Sequence, residues 1–325
     1  MKGLESLLKE LKNQKILVHL GYHKTASTWL QNELFISANE VFEPFSTRDK
    51  AHSTLGELFF QNKEGYLLSP FSEHVELDEI LRVYERKKSS DKILTISHER
   101  LSGNPQASAF DAPIIAKRLH NTFPNARILI LIRNQVDLIT SCYFQYLSKG
   151  GTKSIKKYLN DSYDMRMPYF SPDHFDFTDL VATYQRFFGQ NNVLVYPFEL
   201  FKKNPDNFVS QLSRFIGREI DFNKSRFVEI RNQKKAKFLT YYLRFLNLLA
   251  YRSSMNGYSP FYHPLLAWLI IKAFKVMGWL SPNFLEEYIT KKVRGQVKFF
   301  VGNRYQSSNE KLSKLIGLNL QELNY

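Results

Sequence analysis

The apolar run Lys15–Gly21 (KILVHLG) is followed by Tyr22-His23-Lys24-Thr25-Ala26-Ser27-Thr28-Trp29-Leu30. A strand, a turn of small residues holding one lysine, and hydroxyl residues opening a helix together make a cradle for an anion. Backbone N–H groups at the helix start converge on an oxyanion, the helix dipole favours it, and Lys24 adds a full charge. Helix capping alone would explain Ser27 or Thr28. It does not explain a lysine followed by three hydroxyl residues in four positions.

A second cationic centre follows the run Ala126–Ile132 (ARILILI), which ends in Arg133, with Ser141 eight residues further on. A guanidinium at a strand end can grip a phosphate through paired hydrogen bonds, and a hydroxyl nearby adds another. Taken singly, Arg133 reads more simply as a partner of Asp137, and Ser141 as a small packing residue. The run Lys92–Ser97 leads into His98-Glu99-Arg100, two adjacent candidates for a general base. Side-chain alternation turns one of them to the cleft and the other elsewhere. Plainer roles are packing or capping for His98 and an ion pair with Arg100 or Lys24 for Glu99. The nucleoside-triphosphate loop G-x-x-x-x-G-K-[ST] does not fit: there is one glycine, and Lys24 comes three residues after it. Arg133 also stands where an ATPase strand would offer an aspartate to magnesium. The loop suits one phosphate-sized group held without metal.

Together the motifs resemble those of sulfotransferases that use 3′-phosphoadenosine 5′-phosphosulfate, in the carbohydrate-type and bacterial branches rather than the aryl and steroid branch. The patterns are G-x-x-K-[TS]-[GA]-[ST]-[TS]-x-L and, about a hundred residues later, a strand-end R-x7-S. The resemblance spans roughly residues 15–220, with a weaker echo near the C-terminus. It implies that His23, Lys24, Thr25, Ala26, Ser27, Thr28 and Trp29 hold the 5′-phosphosulfate, and that Arg133 and Ser141 hold the 3′-phosphate. Ala26 stands where the family usually has glycine. The implied product is adenosine 3′,5′-diphosphate, and no metal is expected. Lys24 would act on the leaving oxygen. The base is a histidine in the cytosolic branch and a glutamate in several carbohydrate-modifying branches, so His98 and Glu99 both stay open, with Glu99 preferred. The family's C-terminal basic loop has no clear match; Arg231, Lys234, Lys235 and Arg304 are candidates that read more simply as a solvated basic face.

Such residues need a scaffold that brings strand ends together. Four β-type runs, the three above and Asn192–Pro197, alternate with helical patterns over Thr25–Ser37, Ala112–Thr122, Val136–Ser148 and Asp179–Phe188. Nearly continuous apolar strands alternating with helices predict an α/β fold: an open parallel sheet of four to five strands, helices on both faces, and a helical C-terminal third. Ligands then sit outside the carboxyl ends of the strands. Asn204–Gly217 reads as a capped helix, with Pro205 at its first position. One domain is expected over residues 1–325, with its core at 15–220 and a helical extension from about 234. Glu40–Lys88 is read as an insertion.

With 325 residues, 43% hydrophobic, the chain can bury a large core, which excludes intrinsic disorder. Lys and Arg outnumber Asp and Glu by 45 to 31, giving +14 and an expectation of an anionic partner. The single cysteine, Cys142, excludes an internal disulfide and a cysteine-based zinc site. The charged N-terminal stretch reads as an amphipathic helix, and Lys272 and Lys275 interrupt the apolar run Leu265–Trp279. A cytoplasmic enzyme is expected, with peripheral contact to an anionic membrane allowed, and with a carbohydrate as the sulfate acceptor. The loop Ser148–Lys157 (SKGGTKSIKK) is read as a flexible cationic segment at the cleft mouth. The competing readings are a basic nucleic-acid-binding protein, disfavoured because the aromatics of KKAKFLTYYLRFLNLLAYR fall at helical spacing, and a kinase with an atypical phosphate loop. The oligomeric state is not set by the sequence.

Overall fold

The structure is a computed structural model, and it describes residues 2–22, 24–45, 54–62, 64–88, 91–104, 109–160, 170–221, 237–248, 265, 268–269, 272–273 and 282–325. An amphipathic helix α1 (Lys2–Asn13) leads into β1 (Ile16–Gly21). There follow α2 (Ser27–Trp29, continued by a π-type turn over Leu30–Leu34), β2 (Phe42–Pro44), α3 (Thr54–Glu57), α4 (Leu77–Lys87) and β3 (Ile93–Ser97). The second half of the core runs α5 (Ala112–Thr122), β4 (Arg127–Ile132), α6 (Gln135–Ser148), α7 (Ile155–Leu159), α8 (Phe177–Phe188) and β5 (Val193–Pro197). After α9 (Phe198–Lys203) and α10 (Pro205–Ile216), the described C-terminal elements are α11 (Lys237–Asn247), α12 (Asn283–Val301) and α13 (Gln306–Ile316).

The strands form one parallel sheet in the order β2-β3-β1-β4-β5, so β1 lies at the centre and its neighbours are reached by crossovers in opposite directions. Alternation splits the core into two layers. Val18 and Leu20 of β1, with Ile128, Ile130 and Ile132 of β4, face the layer beneath α5, α6 and α8. Leu17, Leu129 and Leu131 face the layer beneath α2, α9 and α10. Local chemistry closes the helices as their sequences predict. Asn204 accepts from the Asn207 N–H, and Gly217 ends α10 in the left-handed conformation.

Three expectations are corrected. Glu40–Lys88 is not wholly an insertion, because Phe42–Pro44 pairs with Ile93–Thr95 and forms the sheet edge. A three-residue strand carries too little periodicity to be read, and its proline is tolerated only because the strand is an edge. The helix expected over Thr25–Ser37 starts at Ser27, since Lys24 and Ala26 both take positive φ (71° and 66°) before it. The Ser148–Lys157 segment is pinned, not flexible. Tyr146 Oη accepts from the Thr152 and Lys153 N–H groups, and Asn247 Nδ2 donates to the carbonyls of Leu147 and Gly151. The Gly257–Pro264 break lies outside the described residues, as does most of Leu265–Trp279. No helix among the described residues is long and apolar enough to cross a membrane.

Candidate active site

Parallel register brings the chemical residues to one edge. Gly21 pairs with Leu131, two residues before Arg133, and His19 pairs with Ser97, one residue before His98. The ends of β3, β1 and β4 therefore open side by side. After β1 the chain turns tightly. The Thr25 hydroxyl, fully buried, donates to the Tyr22 carbonyl at 2.5 Å, so it holds the turn together from inside. Ser27 is also buried, but its Oγ has no hydrogen-bond partner among the described residues. Lys24 is half-buried, Thr28 exposed, and Trp29 packs inward with its ring 5.2 Å from Phe201. His23 lies outside the described residues.

Arg133 is half-buried and clipped to this loop: Nη1 donates to the Lys24 carbonyl at 3.0 Å, and the guanidinium lies 5.1 Å above the Phe198 ring. The pairing with Asp137 weighed from sequence is not formed; Asp137 takes Arg294 at 2.7 Å. The corner is held from α9, which follows β5 directly. Glu199 Oε1 accepts from the Asn134 N–H at 3.0 Å, while Glu199 Oε2 accepts from Tyr325 Oη at 2.7 Å. Asn134 Oδ1 in turn caps α6 at the Val136 and Asp137 N–H groups. Ser141 stands two turns into α6, half-buried and in helical phase with Asn134 and Asp137.

The His98 ring turns to the α3 side: Nδ1 accepts from the Arg100 N–H at 3.0 Å, Nε2 is 3.8 Å from Glu57, and the ring sits 5.2 Å from Phe60. Arg100, the expected partner of Glu99, pairs instead with Asp111 at 2.5 Å. The Glu99 carbonyl accepts from the Ser102 hydroxyl at 2.8 Å, fixing the turn that starts at Glu99. The Cys142 thiol of α6 senses the whole group. Burial pushes its pKa up to about 12, with Lys24 and Arg133 pulling it down and Glu99 pushing it up. Two cations and one carboxylate, from three strand ends, thus lie within electrostatic reach of one buried thiol.

Sequence reasoning missed Lys237, Phe198 and Glu199. Burial lowers the Lys237 pKa, and Arg133 lowers it further while Glu286 and Asp137 raise it, so this α11 lysine lies within electrostatic reach of the Arg133 corner. Its signal was the basic run Lys234-Lys235-Ala236-Lys237. Arg304 is exposed and stacked 4.5 Å from Phe300, and Arg231, Lys234 and Lys235 lie outside the described residues. The aromatics of α11 do not share one buried face: Tyr241 is buried, but Tyr242 and Phe245 are exposed. No cluster able to hold a metal occurs among the described residues.

Comparison with known proteins adds the following. The model of the family described as sulfotransferase domain matches residues 14–242. The sequence matches no curated protein. Among solved structures, a sulfotransferase from Alicyclobacillus acidocaldarius is similar at 16% identity and a TM-score of 0.47, over 72% of this chain and 94% of that one. A mouse sulfotransferase complexed with PAP gives 17% identity and a TM-score of 0.35, over 70% and 68% of the two chains. A sulfotransferase domain from the curacin biosynthetic pathway gives 13% identity and a TM-score of 0.36, over 68% and 78%.

Proposed function

The chain belongs to the sulfotransferase domain family, and on that premise we propose that it transfers a sulfuryl group from 3′-phosphoadenosine 5′-phosphosulfate to a hydroxyl or amine of a carbohydrate or glycan precursor. The observation that carries the reading is the hydrogen bond from Arg133 Nη1 to the Lys24 carbonyl at 3.0 Å, formed where parallel register brings the ends of β3, β1 and β4 to one edge. An in-line transfer asks for three things: fixed geometry, stabilisation of the departing phosphate, and a base for the acceptor proton.

The acceptor oxygen attacks sulfur as the bond from sulfur to the 5′-phosphate oxygen breaks, and that oxygen keeps the electron pair. Lys24, at the mouth of the loop, neutralises the charge growing there. The Ser27 hydroxyl, buried and otherwise unpartnered, fits an anionic oxygen at the start of α2. Arg133 and Lys237 supply the charge, and Ser141 a hydroxyl, at the corner for the 3′-phosphate. Glu99 takes the acceptor proton. This assignment is favoured over His98 because the His98 ring turns to Phe60 and Glu57 and caps its own turn. The carbohydrate acceptor is supported by the glutamate base, by the +14 charge and by the exposed Lys156 and Lys157 beyond α6. The same charge supports peripheral contact with an anionic membrane.

The test is a thermal-shift comparison. Adenosine 3′,5′-diphosphate without metal should stabilise the protein, by about 2.7 kcal/mol at a hundred times its Kd. Stabilisation by ATP with magnesium alone, or by single-stranded oligonucleotide alone, would replace this reading with a kinase or a nucleic-acid-binding protein.

A further inference from the structure

Beneath the anion loop lies a buried polar chain that the mechanism above leaves unused. Gln31, on the turn continuing α2, donates from Nε2 to the Ser97 carbonyl at 3.2 Å and to Ser97 Oγ at 2.9 Å. The bond to the carbonyl fixes which end of the amide is nitrogen. Ser97 Oγ lies 2.7 Å from Nδ1 of His19, which is fully buried in β1. Oγ accepts from Gln31 and can give its own proton to Nδ1, an arrangement in which the ring proton of a neutral His19 sits on Nε2. Burial keeps the ring neutral, with a pKa of about 3.

That Nε2–H has no hydrogen-bond partner among the described residues, and neither has Ser27 Oγ. Two buried orphans in one place call for an explanation. Both lie beside Gly21: a Cβ there would stand 3.1 Å from His19 Nε2 and 2.8 Å from Ser27 Oγ. We propose that His19 is a positioning residue that accepts from Ser97, donates towards Ser27 through one water, and so leaves the Ser27 hydroxyl proton to point into the anion cradle. The relay Gln31, Ser97, His19, Ser27 gives that hydroxyl a fixed polarity. A hydroxyl held as acceptor by a buried N–H serves as donor to the phosphate end of the donor nucleotide. The inference rests on the functional reading above for the identity of that anion.

Two measurements test it. Nitrogen-15 NMR of the wild-type histidines should find His19 as the Nε2–H tautomer and neutral at pH 5; an Nδ1–H tautomer overturns the inference without any ligand. Calorimetry with adenosine 3′,5′-diphosphate should show His19→Asn, which keeps an acceptor for Ser97 but does not reach Ser27, binding roughly tenfold more weakly, as for one hydrogen bond to a charged group. His19→Gln, which returns an amide N–H to the Nε2 position, should bind within about threefold of wild type. In a Ser27→Ala background His19→Asn should cost nothing further. Additive losses, with normal wild-type binding, overturn this inference alone. A wild type that does not bind the nucleotide overturns the functional reading and the role of Ser27 with it.

Discussion

Replacing Gly21 by alanine tests the packing on which the anion loop depends. Gly21 does not adopt a positive φ, so its backbone would accept a side chain; space is what forbids one. The added Cβ would stand 2.7 Å from Thr25 Oγ1, 2.8 Å from Ser27 Oγ and 3.1 Å from His19 Nε2. All three atoms sit on short or rigid buried side chains, and Thr25 is tied to the Tyr22 carbonyl, so none can swing away cheaply. Overpacking of this kind costs roughly 1–3 kcal/mol, and losing the Thr25 bond adds about 1 kcal/mol. Reduced unfolded-state entropy returns about 0.4–1 kcal/mol. Gly21→Ala should therefore lose about 1–3.5 kcal/mol, read as a lower urea midpoint at unchanged m-value. Because Ser27 moves with the clash, affinity for adenosine 3′,5′-diphosphate should fall at least tenfold. A stability change under about 0.5 kcal/mol with normal nucleotide affinity would refute the geometry of the loop.

Other substitutions separate the roles within the site. Lys24→Ala should lower kcat by roughly 10²–10³-fold with little change in product affinity, because charge grows on the leaving oxygen only during transfer. Arg133→Ala should weaken adenosine 3′,5′-diphosphate but spare adenosine 5′-phosphosulfate, as paired titrations would show. Glu99→Gln should abolish transfer while nucleotide binding persists, and His98→Ala should act mainly on stability; the reverse order of severities in a rate assay would make His98 the base. Ala26→Gly should raise stability by about 0.5–1 kcal/mol in urea unfolding, since alanine at φ 66° carries a left-handed strain that exceeds glycine's entropic cost. His19 should make folding acid-sensitive. Its folded pKa of about 3 lies below the unfolded 6.5, so its contribution is complete above pH 6.5 and is lost as pH falls towards 3. On the order of 3 kcal/mol should go between pH 6.5 and 4, and His19→Gln should flatten that part of the stability–pH curve.

Much of this molecule was legible before folding because it is encoded locally. β1, β3, β4 and β5 announce themselves as apolar runs, since strands covered on both faces need no polar alternation. The Asn204 cap, the Gly217 stop and the small-residue turn after β1 are likewise local events. A parallel sheet then places any residue following a strand at one edge, which is why Lys24, His98, Glu99 and Arg133 could be named from position alone. What remained open was decided by side chains that meet only in three dimensions. Where the His98 ring turns depended on Phe60 and Glu57, about forty residues away in sequence. Whether Thr25 or Ser27 presents a free hydroxyl depended on a turn whose Lys24 and Ala26 break the left-handed rule for non-glycine residues. Phe198 and Glu199 hold the Arg133 corner from α9, just after the next strand, and Lys237 approaches it from a helix about a hundred residues later. Periodicity records which face of an element is buried. It does not record against what, and hydrogen bonds and charge pairs form only where the chain brings distant residues within a few ångströms.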